Sequence, residues 1–297
     1  MLVIPRTPGL VRVTRILVGL AAVVVAFSGC APGRPDKSLY LVPCGRTTEV
    51  VIRVPPPIGD VRLWVPEAIM SNKGGCAVYP VGSDWKRDGN RLIHRVDRDG
   101  NFSGSNLHRI DDETLECAGV RFPKDNPVAW QTTLVADADS VKFDIQLTNL
   151  GQRTIEKAGA AVCLKFLNAP WWADEHTFVR SAGHVLPLAE LGRHAGQPNG
   201  FEAYLLEGEA FDNGFYREFW GFNRNRLDAP MMVSQCYPAG LGVMIRADRA
   251  YFLHSNAGNP CTDVMLAFGN IQPGATASSA GSVEIVSGHA AERLTGP

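Results

Sequence analysis

Three clusters in the chain combine residue types able to bind or transform a ligand. The first is Ala169-Pro170-Trp171-Trp172-Ala173-Asp174-Glu175-His176, followed by Arg180 and His184. An indole such as Trp172 stacks on the apolar face of a pyranose, and Asp174 and His176 can hydrogen-bond its hydroxyls. The competing assignment is packing, since tryptophan is mostly buried whatever its task. The second is Glu218-Phe219-Trp220-Gly221-Phe222-Asn223-Arg224-Asn225-Arg226-Leu227-Asp228. There Trp220 offers a second stacking face, and the forks of Arg224 and Arg226 match a carboxylate or sulfate. Pairing of these arginines with Glu218 and Asp228 on a solvated loop is the bland alternative. The third runs from His254 to Asp263. His254 ends an apolar segment, Ala250-Tyr251-Phe252-Leu253, where an imidazole can serve as a general acid or base, and Asn256 follows in a turn-rich loop. A hydrogen-bonded structural histidine is the commoner role for such a position.

His254 and His176 are therefore the candidate catalytic residues, and Trp172, Asp174, Trp220, Arg224, Arg226 and Asn256 the candidate ligand-binding ones. The chemistry open to them is a lyase, epimerase or glycoside hydrolase step by acid–base catalysis. No Gly-x-Ser-x-Gly elbow, Gly-rich phosphate loop or His-Glu-x-x-His motif occurs, and no cofactor is expected. No cysteine pair has CxxC spacing, so no metal is expected either.

The elements that must position these residues read as strands. In Val141-Lys142-Phe143-Asp144-Ile145-Gln146-Leu147-Thr148 every odd position is apolar and every even one polar, which puts one face on a core and the other in water. Trp130 to Ala136 precedes it, and Asp137-Ala138-Asp139-Ser140 supplies the turn of an antiparallel hairpin. Further strand patterns span Thr48–Val54, Val61–Val65, Ala158–Phe166, Gly200–Leu206, Met231–Gln235, Leu241–Ala247, Ala250–His254, Val264–Phe268 and Ser279–Val286. Residues 168–199 show no long regular pattern, apart from one helical turn over Leu186–Leu191, and are read as a binding loop. The fold class expected is all-β: an antiparallel, supersandwich-like β-sandwich with long loops and little helix.

The amino terminus has its own signature. Arg6, Arg12 and Arg15 precede an apolar run from Ile16 to Phe27, and small residues lead to Cys30. That order is a secretory signal, and the run falls short of the roughly 20 residues that span a bilayer as a helix. Phe27-Ser28-Gly29-Cys30 resembles the bacterial lipobox, which implies cleavage before Cys30 and a diacylglyceryl group on its sulfur. Ala31 at the next position implies, by the same resemblance, the outer membrane of the cell envelope. The expected organisation is a signal peptide over 1–29, a lipidated tether over 30–37 and one sandwich over 38–297, with 38–86 as a strand extension. Cleavage removes three arginines and no acid, taking the formal net charge from −1 to −4. A mildly acidic domain has no electrostatic footprint for nucleic acid. Six cysteines remain, and an oxidising compartment permits disulfides among them. Cys44 and Cys76, in Pro- and Gly-flanked segments, suit a bridge, whereas Cys163 in an apolar strand reads as a buried thiol.

From about Arg87 the chain resembles the galactose-mutarotase-like β-sandwiches. The resemblance rests on Ala129-Trp130-Gln131-Thr132-Thr133, on Val141 to Asn149 with its Thr-Asn corner, and on Ile271-Gln272-Pro273-Gly274 followed by Ser282-Val283-Glu284-Ile285. It implies a sugar-directed concave site. The epimerases' catalytic His and Glu motifs find no residue-by-residue counterpart. Two functions follow as expectations: an envelope lipoprotein that binds or processes a carbohydrate, or a non-catalytic one that binds another protein.

Overall fold

Pairing converts the period-two segments into two packed sheets. The computed structural model describes residues 39–43, 48–54, 56–72, 74–77, 83–88, 91–96, 102–104, 107–121, 127–166, 169, 171–192, 201–212, 221–237 and 240–295. All lie in the compact unit Asp36–Pro297. Cys30, the tether, Cys44 and Trp220 fall outside them.

The strands are, in order, β1 (Tyr40–Pro43), β2 (Glu49–Arg53), β3 (Val61–Ser71), β4 (Gly74–Ala77), β5 (Ser83–Asp88) and β6 (Arg91–Val96). There follow β7 (Phe102–Gly104), β8 (His108–Arg109), β9 (Thr114–Arg121), β10 (Val128–Ala136), β11 (Ser140–Asn149) and β12 (Ile155–Lys165). Then come β13 (Thr177–Ser181), β14 (His184–Pro187), β15 (Phe201–Leu205) and β16 (Met231–Cys236). The last four are β17 (Leu241–Ala247), β18 (Ala250–Asn256), β19 (Cys261–Ile271) and β20 (Thr276–Ser287). An eight-stranded sheet has the order β1-β2-β3-β12-β19-β18-β15, with β4 on β3. A ten-stranded sheet has the order β14-β13-β16-β17-β20-β11-β10-β9-β7, with β8 on β9. The two pack as an antiparallel sandwich.

The β10–β11 hairpin forms as its alternation requires. Val141, Phe143, Ile145 and Leu147 are buried, Leu134 pairs with Phe143, and Asp137 N–H closes the turn on Ser140 O at 2.7 Å. The inner face of the eight-stranded sheet contributes Val50, Ile52, Leu63, Val162, Leu164, Leu253, Val264 and Leu266 to the same core. Within residues 38–86, read from the sequence as an extension, β1, β2 and β3 join this sheet, with β3 laddered to β12.

Two readings need correction. Residues 177–187 are not irregular: β13 and β14 form a hairpin turned at Ala182 and Gly183, both at positive φ (49° and 80°). Its strands are too short to show a period, and Ala182 hides the turn because left-handed backbone usually calls for Gly or Asn. The helical turn exists, but as a 3₁₀ turn over Leu188–Leu191. Cys163 is a buried thiol as expected, and Cys117, Cys236 and Cys261 are buried too, with no disulfide among the described residues; the Cys44–Cys76 bridge falls outside the described side chains. No described helix is long and apolar enough to cross a membrane.

Candidate functional site

Side chains alternate along a strand, so each register row of the eight-stranded sheet belongs to one face. One row reads Glu49, Trp64, Cys163, Asp263, His254, Ala203 across β2, β3, β12, β19, β18 and β15. Two residues along, a second row reads Arg62, Lys165, Cys261, Asn256, Phe201 across β3, β12, β19, β18 and β15. Both lie on the outer face, turned away from the ten-stranded sheet. A third row on that face is apolar, with Ala68, Ala161, Met265 and Phe252 packed together. Chemistry-bearing residues thus form two files beside a hydrophobic one.

The centre of the polar files is buried. His254 (5 % exposed) donates from Nε2 to Asp263 Oδ2, and Asp263 is 2 % exposed. The Phe201 ring lies against the imidazole, 4.4 Å between centroids. Burial works to lower the His254 pKa. The Asp263 charge and hydrogen bond, reinforced by Cys261, outweigh it and push the imidazole up to about 10. Cys163 goes the same way: burial, a hydrogen bond with Cys261 and the charges of Asp263 and Glu67 hold its thiol well above the usual range. Among the described residues Asp263 Oδ1 has no hydrogen-bond partner. The Sγ atoms of Cys163 and Cys261 and a carboxylate oxygen of Asp263 all lie within 4.8 Å of one another.

At Arg62, Trp64 and Lys165 the files open to solvent. Trp64 is half-buried, with Lys165 Nζ 3.9 Å from its ring centroid. Arg62 pairs with Glu49 at 3.0 Å. Asn256 turns its Oδ1 onto the N–H groups of Gly258 and Asn259, at 3.0 and 3.1 Å, and fixes the β18–β19 turn.

The first sequence cluster lies elsewhere. Trp172 (8 % exposed) belongs to the sandwich core and stacks on Phe166, 5.9 Å between centroids. Trp171 donates to Ile58 O at 3.3 Å. Asp174 is buried and accepts from Ser255 Oγ at 3.4 Å. His176 bonds Trp171 O through Nδ1 at 2.8 Å and meets Tyr237 edge-on. Ser255 follows His254 in β18 and so faces the opposite side. Asp174 and Trp172 therefore do not share a hollow with His254; the sheet separates them.

The arginines of the second cluster also part company. Arg226 donates to Leu206 O and Glu209 O, at 3.0 and 2.7 Å, and ties the 221–228 segment to the chain after β15. Arg224 is exposed. Asp228 takes the backbone N–H groups of Ala182 and Gly183, so it serves the β13–β14 turn. The sequence reading missed Trp64, Lys165, Cys163, Cys261 and Asp263 as one group. A signal for the last three was available, since polar or sulfur residues interrupt two otherwise apolar strands at matching positions.

No protein-family model matches the sequence, and no curated protein matches it. Solved structures do. A galactose mutarotase related enzyme from Lactobacillus acidophilus matches at 9 % identity over 86 % of this chain and 97 % of that one, with a TM-score of 0.48. A galactose mutarotase-like protein from Clostridium acetobutylicum matches at 8 % identity over 85 % and 94 %, with a TM-score of 0.44. Another from Lactobacillus casei matches at 10 % identity over 84 % and 97 %, with a TM-score of 0.43. The likeness is one of strand arrangement. At these values it transfers neither a residue nor an activity to this chain.

Proposed function

We propose that this chain is a carbohydrate-binding lipoprotein of the cell envelope, and that its ligand lies on the outer face of the eight-stranded sheet at Trp64, Lys165 and Asn256. The observation that carries the reading is the pair of polar files on that face. Buried ionisable side chains such as His254 and Asp263 seldom line a sheet face unless a ligand or a partner rewards them, because each costs desolvation. Here they stand beside a half-buried indole, two cations and an amide. An indole supplies the stacking surface a sugar needs, the amide meets hydroxyls, and Lys165 and Arg62 suit an acidic glycan. The signal-like segment before Cys30 supports the lipid tether, and Ala31 supports the outer membrane.

A glycan array probed with the full-length chain in detergent tests the ligand, followed by titration of Trp fluorescence. Trp64→Ala is expected to weaken binding about tenfold, or 1.4 kcal/mol. Absence of binding to neutral and acidic glycans alike would refute the reading. Incorporation of labelled palmitate, lost in Cys30→Ser, tests the anchor; an unlabelled wild-type chain would refute that part.

A further inference from the structure

We propose that Cys163, Cys261 and Asp263 bind a zinc-class divalent cation at the centre of the eight-stranded sheet, with His254 orienting the Asp263 carboxylate. The site is independent of the carbohydrate reading and would stand without it.

Geometry comes first. Three ligand atoms within 4.8 Å of one another leave a point no more than about 2.8 Å from each. Zinc takes thiolate sulfur at about 2.3 Å and carboxylate oxygen at about 2.0–2.2 Å, so shifts of a few tenths of an ångström complete the coordination. The ligands come from two long, adjacent strands, β12 and β19, rather than from loops. Such positions are held by the ladder on both sides.

The second observation is the carboxylate itself. Asp263 is 2 % exposed, and among the described residues its Oδ1 has no hydrogen-bond partner while Oδ2 is held by His254. A buried carboxylate oxygen without a donor is costly, and a cation beside it removes the cost. The imidazole on the other oxygen is the outer-shell contact that fixes a metal-binding carboxylate in place.

The ligand set selects the ion. Two sulfurs favour zinc and its analogues cobalt and cadmium over calcium or magnesium, which want oxygen. On binding, two metal–sulfur bonds form, the S–H bonds of Cys163 and Cys261 break, and both protons pass to solvent. Three protein ligands leave a fourth position for a water or a ligand oxygen, as in zinc sites that do chemistry.

A disulfide is the rival use of two neighbouring thiols. The register opposes Cys163 to Asp263 and Cys261 to Lys165, so the cysteines are diagonal. Diagonal partners lie about 7–8 Å apart at Cα. Disulfides span roughly 4.4–6.8 Å.

The test uses the full-length chain purified in detergent, reduced and free of chelator. Zinc is expected at one equivalent per chain after dialysis. Cobalt loaded in its place should show a thiolate-to-metal charge-transfer band and the intense visible bands of a tetrahedral ion. Cys163→Ser and Cys261→Ser should each weaken zinc binding at least tenfold, and His254→Gln about 10–100-fold. Cys236→Ser, in β16 of the other sheet, should not change it. The cobalt spectrum needs no substitution, so poor folding of a variant does not blunt the test. Substoichiometric zinc, an octahedral cobalt spectrum, retention undiminished in both cysteine variants, or a Cys163–Cys261 disulfide in peptide mass spectra would each overturn the proposal.

Discussion

His254 and Ser255 are consecutive residues of β18 that serve opposite faces of the eight-stranded sheet: His254 meets Asp263 on the outer face, and Ser255 meets Asp174 on the inner one. This single alternation divides residues that a reading by sequence clusters would join. It assigns Trp172 and Asp174 to the end of the sandwich core and leaves His254 with the polar files.

Trp172 should therefore behave as a core residue. Trp172→Ala is expected to destabilise by about 3–5 kcal/mol, since it empties a stacked position against Phe166. Arg224→Ala, at an exposed position, should stay within about 0.5 kcal/mol. Urea unfolding monitored by circular dichroism measures both. A Trp172 variant of native stability would place its ring outside the core.

The His254–Asp263 pair makes a prediction about coupling. His254→Leu strands a buried carboxylate and should cost about 3–5 kcal/mol. Replacing both residues, His254→Leu with Asp263→Leu, should recover most of that loss, because no charge is then left without a partner. A double-mutant cycle by denaturant titration, with chelator present, reads the coupling. Additive losses would mean the two side chains do not depend on each other.

Two glycines leave room for an aromatic ring on the neighbouring strand. A Cβ on Gly281 would meet Arg246 O at 2.3 Å and Phe143 Cζ at 2.5 Å, and one on Gly119 would meet the Trp130 indole at 2.6 Å. Overpacking of this kind costs about 1–3 kcal/mol. Gly281→Ala should be the worse, since a backbone carbonyl cannot rotate away as an indole can. Thermal unfolding of the two variants tests the order, and an equal or reversed ranking would contradict it.

Cys117 should be chemically silent. Burial, the largest cause, pushes its thiol up to about 12. Because the folded-state pKa is raised, thiolate is scarce at neutral and mildly alkaline pH, and it is the thiolate that reacts. A thiol reagent at pH 8 should label Cys117 only after denaturant is added, with the site read by peptide mass spectrometry. Labelling in the native protein at the rate of a free thiol would show the residue to be accessible.

Much of the sandwich was legible because its strands are amphipathic or bounded by turn residues. Val141 to Thr148 declares a period of two, and Asp137-Ala138-Asp139-Ser140 marks a hairpin turn that the structure contains. The β13–β14 hairpin was not legible, since four- and five-residue strands joined by Ala182-Gly183 carry too little pattern. His254 drew notice at a strand end, but its partner did not. Asp263 follows it by nine positions, whereas Cys163 lies ninety-one before it, and only the β12–β19–β18 register brings the three into one row. Local spacing such as CxxC finds metal ligands on one loop. It is blind to ligands contributed across a ladder.

The outer-face site is tested most directly by comparing two cations on one glycan ligand. Lys165 stands on the polar files against Trp64, and Arg224 lies exposed in the 221–228 segment. Glycan affinity measured by titration should fall about tenfold in Lys165→Ala, a loss of 1.4 kcal/mol, and less than about twofold in Arg224→Ala. Wild-type affinity in Lys165→Ala with a large loss in Arg224→Ala would contradict the assignment and move the site off this face.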